Sequence, residues 1–249
     1  MAGTAGPLLL SLPVDARGLG GTRSALAAWL ERGGVSADDV DDVLIASNEA
    51  CMNAVEHSGA DGGTKIKVSA SLDGARLAIE VSDRGSWSEH AQTGDRGHGL
   101  GLMRKLMDVV EIDHGGDGTR VRLEREVTFG PVVARDAEPA SVAVAEVRGV
   151  CVARLVGEID LAVVPRVGAE LDGAAGPAVP SLVVDLTGVT YIDSSGVHLL
   201  FKLAHRRLGD GGSTRLAVAG GPVRRVLELT GVQAAIGMDA SVDEAIARS

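Results

Sequence analysis

The chain has 249 residues, a length that favours two ordinary domains over one large domain. Hydrophobic residues make up 45% of the chain but aromatic residues only 2%, so the core has to be built from Val, Leu, Ile and Ala, which suits sheets covered by helices. The formal net charge of −10 argues against a duplex-binding surface, so no direct contact with nucleic acid is expected.

Two cysteines, Cys51 and Cys151, lie in different halves of the chain and inside apolar runs. Neither a disulfide framework nor a thiolate metal site is indicated, and we expect both to be small buried residues of a cytoplasmic protein. The apolar run at residues 7–10 lacks a charged flank and is too short for a signal peptide or a membrane span. No membrane association is therefore expected.

The first half of the chain predicts helices next to a mostly antiparallel sheet. Apolar residues recur at helical spacing over residues 17–31, and a capping sequence at residues 36–39 opens a longer helix towards His57. Residues 65–72 and 76–83 then alternate apolar and polar side chains around an Asp-Gly turn, which is a strong hairpin signal.

A glycine-rich loop leads from this hairpin into a helix at residues 100–107, and two further strand-like runs end at Glu126. The pattern predicts an α+β domain of two layers over residues 1–127. Residues 128–140 predict a linker, because they contain Gly and Pro and show no sustained periodicity.

After the linker, over residues 141–249, the chain predicts an α/β domain with some parallel strand pairing. Two paired strands at residues 142–147 and 150–156 are followed by a helix at 163–171 and a buried strand at 182–186. Helices and a strand then alternate, with helices at 197–208, 223–229 and 242–247 and a strand at 216–219.

Glu49 and Asn53 are candidates for chemistry in the first half. They are four residues apart on a predicted helix, so their side chains share one face about a turn apart. A carboxylate there can take a proton from an attacking hydroxyl, and the amide oxygen can bind Mg²⁺. Taken alone, the same pair is also common on a solvated helix surface.

Asp83 ends a predicted strand, where its carboxylate can accept a hydrogen bond from an exocyclic amine, and Gly85 allows close approach of a ligand. An ordinary strand-ending turn is the alternative. The loop that contains Gly97, Gly99 and Gly101 could cradle phosphates with its backbone amides, with a flexible linker as the equal alternative.

The order of these motifs over residues 12–126 resembles the GHKL ATP-binding superfamily and, more narrowly, the anti-sigma-factor serine kinases. The Glu-Ala-x-x-Asn-Ala-x-x-His wording of residues 49–57 is its most specific part. The resemblance implies an ATP- and Mg²⁺-dependent protein-serine kinase with Glu49 as the general base and Asn53 as the Mg²⁺ ligand.

The same resemblance implies roles for further residues. Asp83 would read the adenine, Gly85 would lie under the base, and Thr119, which opens the last strand, would lie near the adenine. Arg23 falls where such kinases carry an arginine used in partner contact. The phosphate lid would be formed by Gly97, Gly99 and Gly101.

The turn at residues 193–196, Asp-Ser-Ser-Gly, joins a predicted strand to a helix. Asp and Ser are preferred helix N-caps and Gly eases the turn, so a structural cap is the plain interpretation. The same turn exposes a hydroxyl beside positive amide ends, where a phosphate would be partly stabilised. Glu158 and Asp160 end an earlier strand and could equally be polar loop residues.

Together these segments resemble the STAS-domain anti-sigma-factor antagonists, over residues 142–248. The resemblance implies that Ser194 is phosphorylated, that Asp193 orients it, and that Ser195 is a neighbouring hydroxyl. Glu158 and Asp160 match an acidic strand end near the acceptor. Residues 197–198, Val-His, depart from the Leu-Gly that is common in the family.

The two halves predict a partner-switching regulator of sigma-factor activity, in which a serine kinase is fused to a phosphorylatable antagonist domain. Expected partners are a sigma factor, a separate STAS antagonist protein or both, with a PP2C-type phosphatase as a candidate for resetting Ser194; a homodimer is left open. One alternative is a nucleotide-gated clamp on a sigma factor or antagonist, without turnover. Another is an independent ATPase with a structural STAS lid.

Overall fold

The structure is a computed structural model that describes residues 6–57, 65–84, 98–115, 118–131, 139–174 and 179–249. The chain divides into two compact units, Met1–Arg135 and Asp136–Ser249. Each unit contains one five-stranded sheet. The exact limits of the domains and the linker remain predictions.

The N-terminal unit is α+β, as predicted. Its strands are all paired antiparallel in the order β1-β2-β3-β5-β4, and α2 packs against α1, α3 and the inner strands β3 and β5. In chain order its elements are β1 (Leu8–Pro13), α1 (Arg17–Arg32), α2 (Ala37–His57), β2 (Lys65–Asp73), β3 (Arg76–Asp83), α3 (His98–Leu106), β4 (Val109–Gly115) and β5 (Gly118–Glu126).

Alternation along the central strands decides which face of this sheet carries the helices. In β3 the side chains of Leu77, Ile79 and Val81 are buried, whereas the residues between them are more exposed. On the polar face, Arg120 of β5 forms an ion pair with Glu80 at 3.4 Å. The buried face positions α2, and therefore the candidate residues that it carries.

Strand β1 is an element that the sequence patterns did not predict. Residues 7–10 were considered only as a targeting segment, but Leu8 begins a strand that pairs with β2 at the edge of the sheet. Helix α3 also begins earlier than predicted, at His98 rather than at residue 100.

The first residues of the predicted linker are attached to the N-terminal unit. The backbone N–H of Ser36 donates to the carbonyl of Thr128 at 2.8 Å, and that of Gly130 donates to the carbonyl of Gly34 at 3.0 Å. Val35 and Phe129 form an antiparallel bridge between these contacts. Residues 128–130 therefore lie against the start of α2 in the N-terminal unit.

The C-terminal unit is α/β, as predicted. Its strand order is β10-β9-β8-β7-β6, with β6 antiparallel to β7 and the other neighbours parallel. Its elements are β6 (Ser141–Val147), β7 (Val150–Ile159), α4 (Val164–Ala174), β8 (Ser181–Ile192), α5 (Ser194–Gly209), β9 (Ser213–Ala217), α6 (Pro222–Leu229), a 3-10 turn (Val232–Ala234), β10 (Gly237–Asp239) and α7 (Val242–Ala247).

Three features of this unit differ from the sequence predictions. Strand β8 continues to Ile192, helix α5 begins at Ser194 rather than at residue 197, and the short strand β10 was not foreseen. The prediction of burial is confirmed for Cys51 but is wrong for Cys151, which is only half-buried near the end of α4. Among the helices that the structure describes, none is long and apolar enough to cross a bilayer.

Candidate kinase and phospho-acceptor sites

Helix α2 carries both predicted residues of the base-and-metal pair. Since α2 is continuous from Ala37 to His57, Glu49 and Asn53 are one turn apart on it. Glu49 is only 1% exposed, and Asn53 is half-buried. A solvated surface pair would not bury the carboxylate, so the structure disfavours that alternative for Glu49.

Asp83 and Thr119 are brought side by side by the pairing of β3 with β5. They are direct register partners, and Thr119 is buried while Asp83 is half-buried. Next to Thr119, Gly118 has a φ of +124°, and a Cβ there would lie 2.0 Å from the carbonyl oxygen of Asp83. Glycine is therefore required for the two strand ends to approach this closely.

The predicted glycine lid is only partly described. Gly99 and Gly101 lie in the first turns of α3, where Gly99 is buried and Gly101 is exposed. Gly85 and Gly97 lie outside the described residues. Helix α3 packs against α2, so the helix that contains Gly99 and Gly101 and the helix that contains Glu49 belong to the same core.

Arg23 lies in an unexpected environment. Its side chain is 5% exposed, and its Nη1 donates to the Oδ1 of Asn48 at 3.1 Å, between α1 and α2. The Nδ2 of Asn48 in turn donates to the Sδ of Met52 at 3.2 Å. The partner contact predicted for Arg23 would require this side chain to leave the interface between the two helices.

The donor set fits a Mg²⁺-nucleotide. Within the described ranges, no three His, Cys, Asp or Glu residues cluster as a metal site of their own. The amide oxygen of Asn53 is a hard donor that can complete Mg²⁺ coordination together with phosphate oxygens and water. The close approach of Gly118 to Asp83 keeps the strand ends that carry Asp83 and Thr119 beside each other.

In the C-terminal unit, the parallel pairing of β7 with β8 assembles the predicted acceptor site. Glu158 is the register partner of Tyr191, and the N–H of Asp193 donates to the carbonyl of Ile159 at 3.3 Å. The acidic end of β7 and the turn after β8 therefore meet at one edge of the sheet.

Asp193 caps helix α5 from a fully buried position. Its Oδ1 accepts the N–H of Ser195 at 3.0 Å, the N–H of Gly196 at 3.1 Å and the hydroxyl of Ser195, while its Oδ2 accepts the N–H of Leu161 at 3.1 Å. Burial raises the pKa of this carboxyl and nearby Asp160 adds to the rise, although these hydrogen bonds partly oppose it.

The two serines of the turn differ in environment. Ser194 is the first residue of α5 and is half-buried, whereas the hydroxyl of Ser195 is held by Asp193. The role predicted for Asp193 was to orient Ser194, and the bonds described above show that it holds Ser195 and the start of the helix. Gly196 is required because a Cβ there would lie 2.7 Å from the side chain of Ile192.

Asp160 has a structural function in addition to its position near Asp193. It is 6% exposed, and its Oδ1 accepts the backbone N–H groups of Ala162 and Val163 at 3.0 and 3.3 Å. Asp160 therefore fixes the turn between β7 and α4. The sequence predicted Asp160 either as a polar loop residue or as part of an acidic strand end near the acceptor, and did not predict these hydrogen bonds.

Comparison with known proteins finds a family model for each half of the chain. Residues 12–125 match the model of the histidine kinase-like ATPase domain, and residues 141–245 match the STAS domain. In the solved structure of an anti-sigma factor antagonist from Mycobacterium paratuberculosis, 97% of the chain aligns with 45% of this one, at 25% identity and a TM-score of 0.42.

Relatives from two species illustrate the match of the N-terminal half. The serine-protein kinase RsbW of Bacillus licheniformis is 34% identical over 122 residues, which cover 41% of this chain and 76% of that protein. RsbW of Halalkalibacterium halodurans is 31% identical over 119 residues, covering 41% and 73%. The chain therefore belongs to the RsbW family of serine-protein kinases, with a histidine kinase-like ATPase domain followed by a STAS domain.

Proposed function

We propose that this kinase transfers the γ-phosphoryl group of ATP to Ser194 in the STAS domain of this same protein. The transfer changes which partner proteins are bound, and these partners control a sigma factor. The observation that carries the proposal is the presence in one chain of a buried Glu49 one turn from Asn53 and of a half-buried Ser194 at the start of α5. The kinase family supplies the reaction class.

In this reaction Glu49 takes the proton from the Ser194 hydroxyl as its oxygen bonds to phosphorus and the bond to the ADP oxygen breaks. Asn53 would hold Mg²⁺, which neutralises charge on the phosphates. Asp83 accepts a hydrogen bond from the adenine amino group, with Thr119 beside it. Buried surroundings keep water away from Glu49, so its proton transfer is directed to the bound hydroxyl.

Ser194 is a better acceptor than Ser195 for a structural reason. The Ser195 hydroxyl donates to Asp193, a carboxylate that is fully buried and that also caps the helix. Phosphorylation of Ser195 would remove this hydroxyl donor from the buried carboxylate. Phosphorylation of Ser194 leaves the cap intact.

The proposed partners come from the resemblance to the anti-sigma-factor kinases and antagonists. They are a sigma factor, a separate STAS antagonist protein or both, and a PP2C-type phosphatase that removes the phosphate from Ser194. Phosphorylation changes the charge where β7, β8 and α5 meet, and this change is what a partner would detect.

Substitution of Glu49 by Gln tests the proposed base. The Glu49→Gln variant keeps the shape of the side chain but cannot accept the proton, so phosphorylation should fall about 10²–10⁴-fold while calorimetric affinity for Mg²⁺-ATP is retained. Glu56→Gln is the matched control, because Glu56 is exposed on the same helix. Undiminished phosphorylation in Glu49→Gln would remove Glu49 from this role, and a parent chain that binds ATP without any transfer would favour the non-catalytic clamp.

A further inference from the structure

Phosphorylation of Ser194 would place a dianion in an acidic environment. A phosphoserine carries roughly −1.5 to −2 charges at neutral pH. Ser194 directly follows Asp193, and the end of β7 brings Asp160 close to Asp193 and pairs Glu158 with Tyr191. A phosphate on Ser194 would therefore add negative charge to an end of the sheet that is already acidic, where a positive charge would stabilise it.

The backbone amides at the start of α5 cannot fully provide this charge. Free N–H groups at a helix N-terminus commonly stabilise a phosphate. Here the N–H groups of Ser195 and Gly196 already donate to the Oδ1 of Asp193. A phosphate on Ser194 would therefore gain stabilisation from a positively charged side chain nearby.

Two basic side chains lie on the matching face of α5. His198 and Lys202 follow Ser194 by four and eight residues, which places them about one and two turns further along the same face. His198 is half-buried and Lys202 is exposed. His198 is also where this chain departs from the glycine that is common in antagonist domains.

The other cations near α5 have partners of their own. Arg206 pairs with Asp172 of α4 at 2.5 Å, and the Nη2 of Arg207 donates to the carbonyl of Val179 at 2.7 Å. On β9, which also packs against α5, Arg215 pairs with Asp239 at 2.7 Å. On α4, which packs against α5, Arg166 pairs with Glu170 at 2.9 Å. Further charged groups in the described part of this region include the acids Glu158, Asp160, Asp193 and Asp210 and the bases Lys202 and His205.

We propose that His198 binds the phosphoryl group of phosphorylated Ser194 as an imidazolium, by donating an N–H to a phosphate oxygen. The proposal rests on Ser194 being the acceptor. The phosphate dianion and the imidazolium would each favour the charged form of the other. The switch would thereby depend on pH as well as on ATP.

The test is a ³¹P NMR titration of the full chain in which phosphoserine is inserted at position 194 during synthesis. In the parent, the second ionisation of the phosphate should occur about half a pH unit or more below its value in the His198→Gln variant. His205→Gln is the matched control, since His205 lies exposed on the same helix eleven residues from Ser194, and it should titrate like the parent.

A phosphate midpoint that is the same in the parent and in His198→Gln overturns the proposal. If His198→Gln does not fold, the imidazole resonances of the parent decide, because the midpoint of His198 has to rise when Ser194 carries phosphate. The inserted phosphoserine makes the result independent of the chain's own kinase. A failure to phosphorylate Ser194 with Mg²⁺-ATP would instead contradict the proposed function.

Discussion

At the residue scale, steric contacts or backbone hydrogen bonds determine which residue can occupy certain positions. Gly118 keeps the ends of β3 and β5 together beside Asp83, and Gly196 lets α5 start against Ile192. Asp193 satisfies three backbone N–H groups from inside the C-terminal unit. These positions determine the geometry of both candidate sites without necessarily taking part in chemistry.

Substitution of Gly118 by Ala should disturb the nucleotide site. The new Cβ would clash with the Asp83 carbonyl, and the φ of +124° is strained for any L side chain, so we expect a loss of about 1–3 kcal/mol in unfolding free energy. ATP affinity measured by calorimetry should fall as well. Gly21→Ala is the control: its Cβ meets nothing within 4 Å in α1, and Ala there should stabilise the helix by up to about 1 kcal/mol. Equal stability of the two variants would contradict the packing described at Gly118.

Substitution of Asp193 by Ala should weaken the start of α5. The cap is lost, which typically costs about 1 kcal/mol, and hydrogen exchange of the first turn of α5 should accelerate. Ser241→Ala, which removes the cap of α7, should leave exchange in α5 unchanged. Unaltered exchange at Ser195 and Gly196 in Asp193→Ala would argue against the capping role.

At the element scale, a buried polar cluster joins four segments of the N-terminal unit. The carboxylate of Asp39 in α2 accepts hydrogen bonds from the hydroxyl of Ser36 at 2.8 Å and from the Nε of Arg125 at 2.9 Å. It also accepts hydrogen bonds from the backbone N–H and the hydroxyl of Thr128. Arg125 also pairs with Asp42 at 2.9 Å and donates to the carbonyl of Leu106 at the end of α3. The cluster therefore connects α3, α2 and the residues that follow β5.

Acid should weaken the N-terminal unit through Asp39. Burial alone would raise the pKa of this carboxyl, but hydrogen bonds from Thr128, Ser36 and Arg125 outweigh burial and hold it below its ordinary value. Because the folded pKa is depressed, the stabilisation is present above the unfolded pKa of about 4 and is lost as pH falls through the folded value. Urea midpoints followed by tryptophan fluorescence should therefore drop in this range, and less steeply in Asp39→Asn.

Asp38→Asn is the matched control, since Asp38 is exposed next to Asp39 on the same helix and should leave the pH profile unchanged.

The pH dependence of stability that we expect from Asp193 has the opposite sign. Its raised pKa means that its contribution to the stability of the C-terminal unit is present at low pH and is lost as pH rises through the folded value. If the acid profiles of the two units ran in the same direction at these residues, one of the two assignments would be contradicted.

Local patterns predicted most elements, and tertiary pairing explains those they did not predict. The hairpin of β2 and β3 and helices α1 and α2 follow from alternation, turn residues and caps over short windows. Strands β1 and β10 are short and depend on a neighbouring strand from elsewhere in the chain. The contact of Arg125 with Asp39 spans 86 residues, so no local pattern could reveal it.

The candidate sites, like the fold, could be predicted from local sequence patterns only in part. The spacing of Glu49 and Asn53 and the Asp-Ser-Ser-Gly turn could be recognised in the sequence because the residues of each motif lie within a few positions of one another. The burial of Arg23 against Asn48 and the capture of the Ser195 hydroxyl by Asp193 depend on packing that spacing does not reveal. Motif positions were therefore foreseen, but the contacts of individual side chains were not.

At the scale of the whole molecule, the linker sets how Ser194 can reach a kinase site. Residues 128–130 are attached to the N-terminal unit, so about ten residues of the predicted linker remain, enough to span roughly 35 Å when extended. Such a tether gives a high effective concentration of acceptor. We therefore expect transfer within one chain.

Mixing two variants distinguishes transfer within a chain from transfer between chains. A Glu49→Gln chain retains the acceptor and a Ser194→Ala chain retains the base, so transfer restricted to one chain should leave the mixture almost unphosphorylated on Ser194. The parent should also react at a rate per molecule that does not change on dilution. Ready phosphorylation of the Glu49→Gln chain would show transfer between chains, as expected of a homodimer.

The central claim is that one chain contains both the serine kinase and its acceptor. It is tested most directly by intact-mass spectrometry of the purified full chain after incubation with Mg²⁺-ATP, followed by mapping of the modified residue. The account predicts one added phosphoryl group, located on Ser194 and absent from the Ser194→Ala variant. Phosphate on Ser195 or another residue with Ser194 unmodified, or no phosphate on a chain that binds ATP, would contradict it.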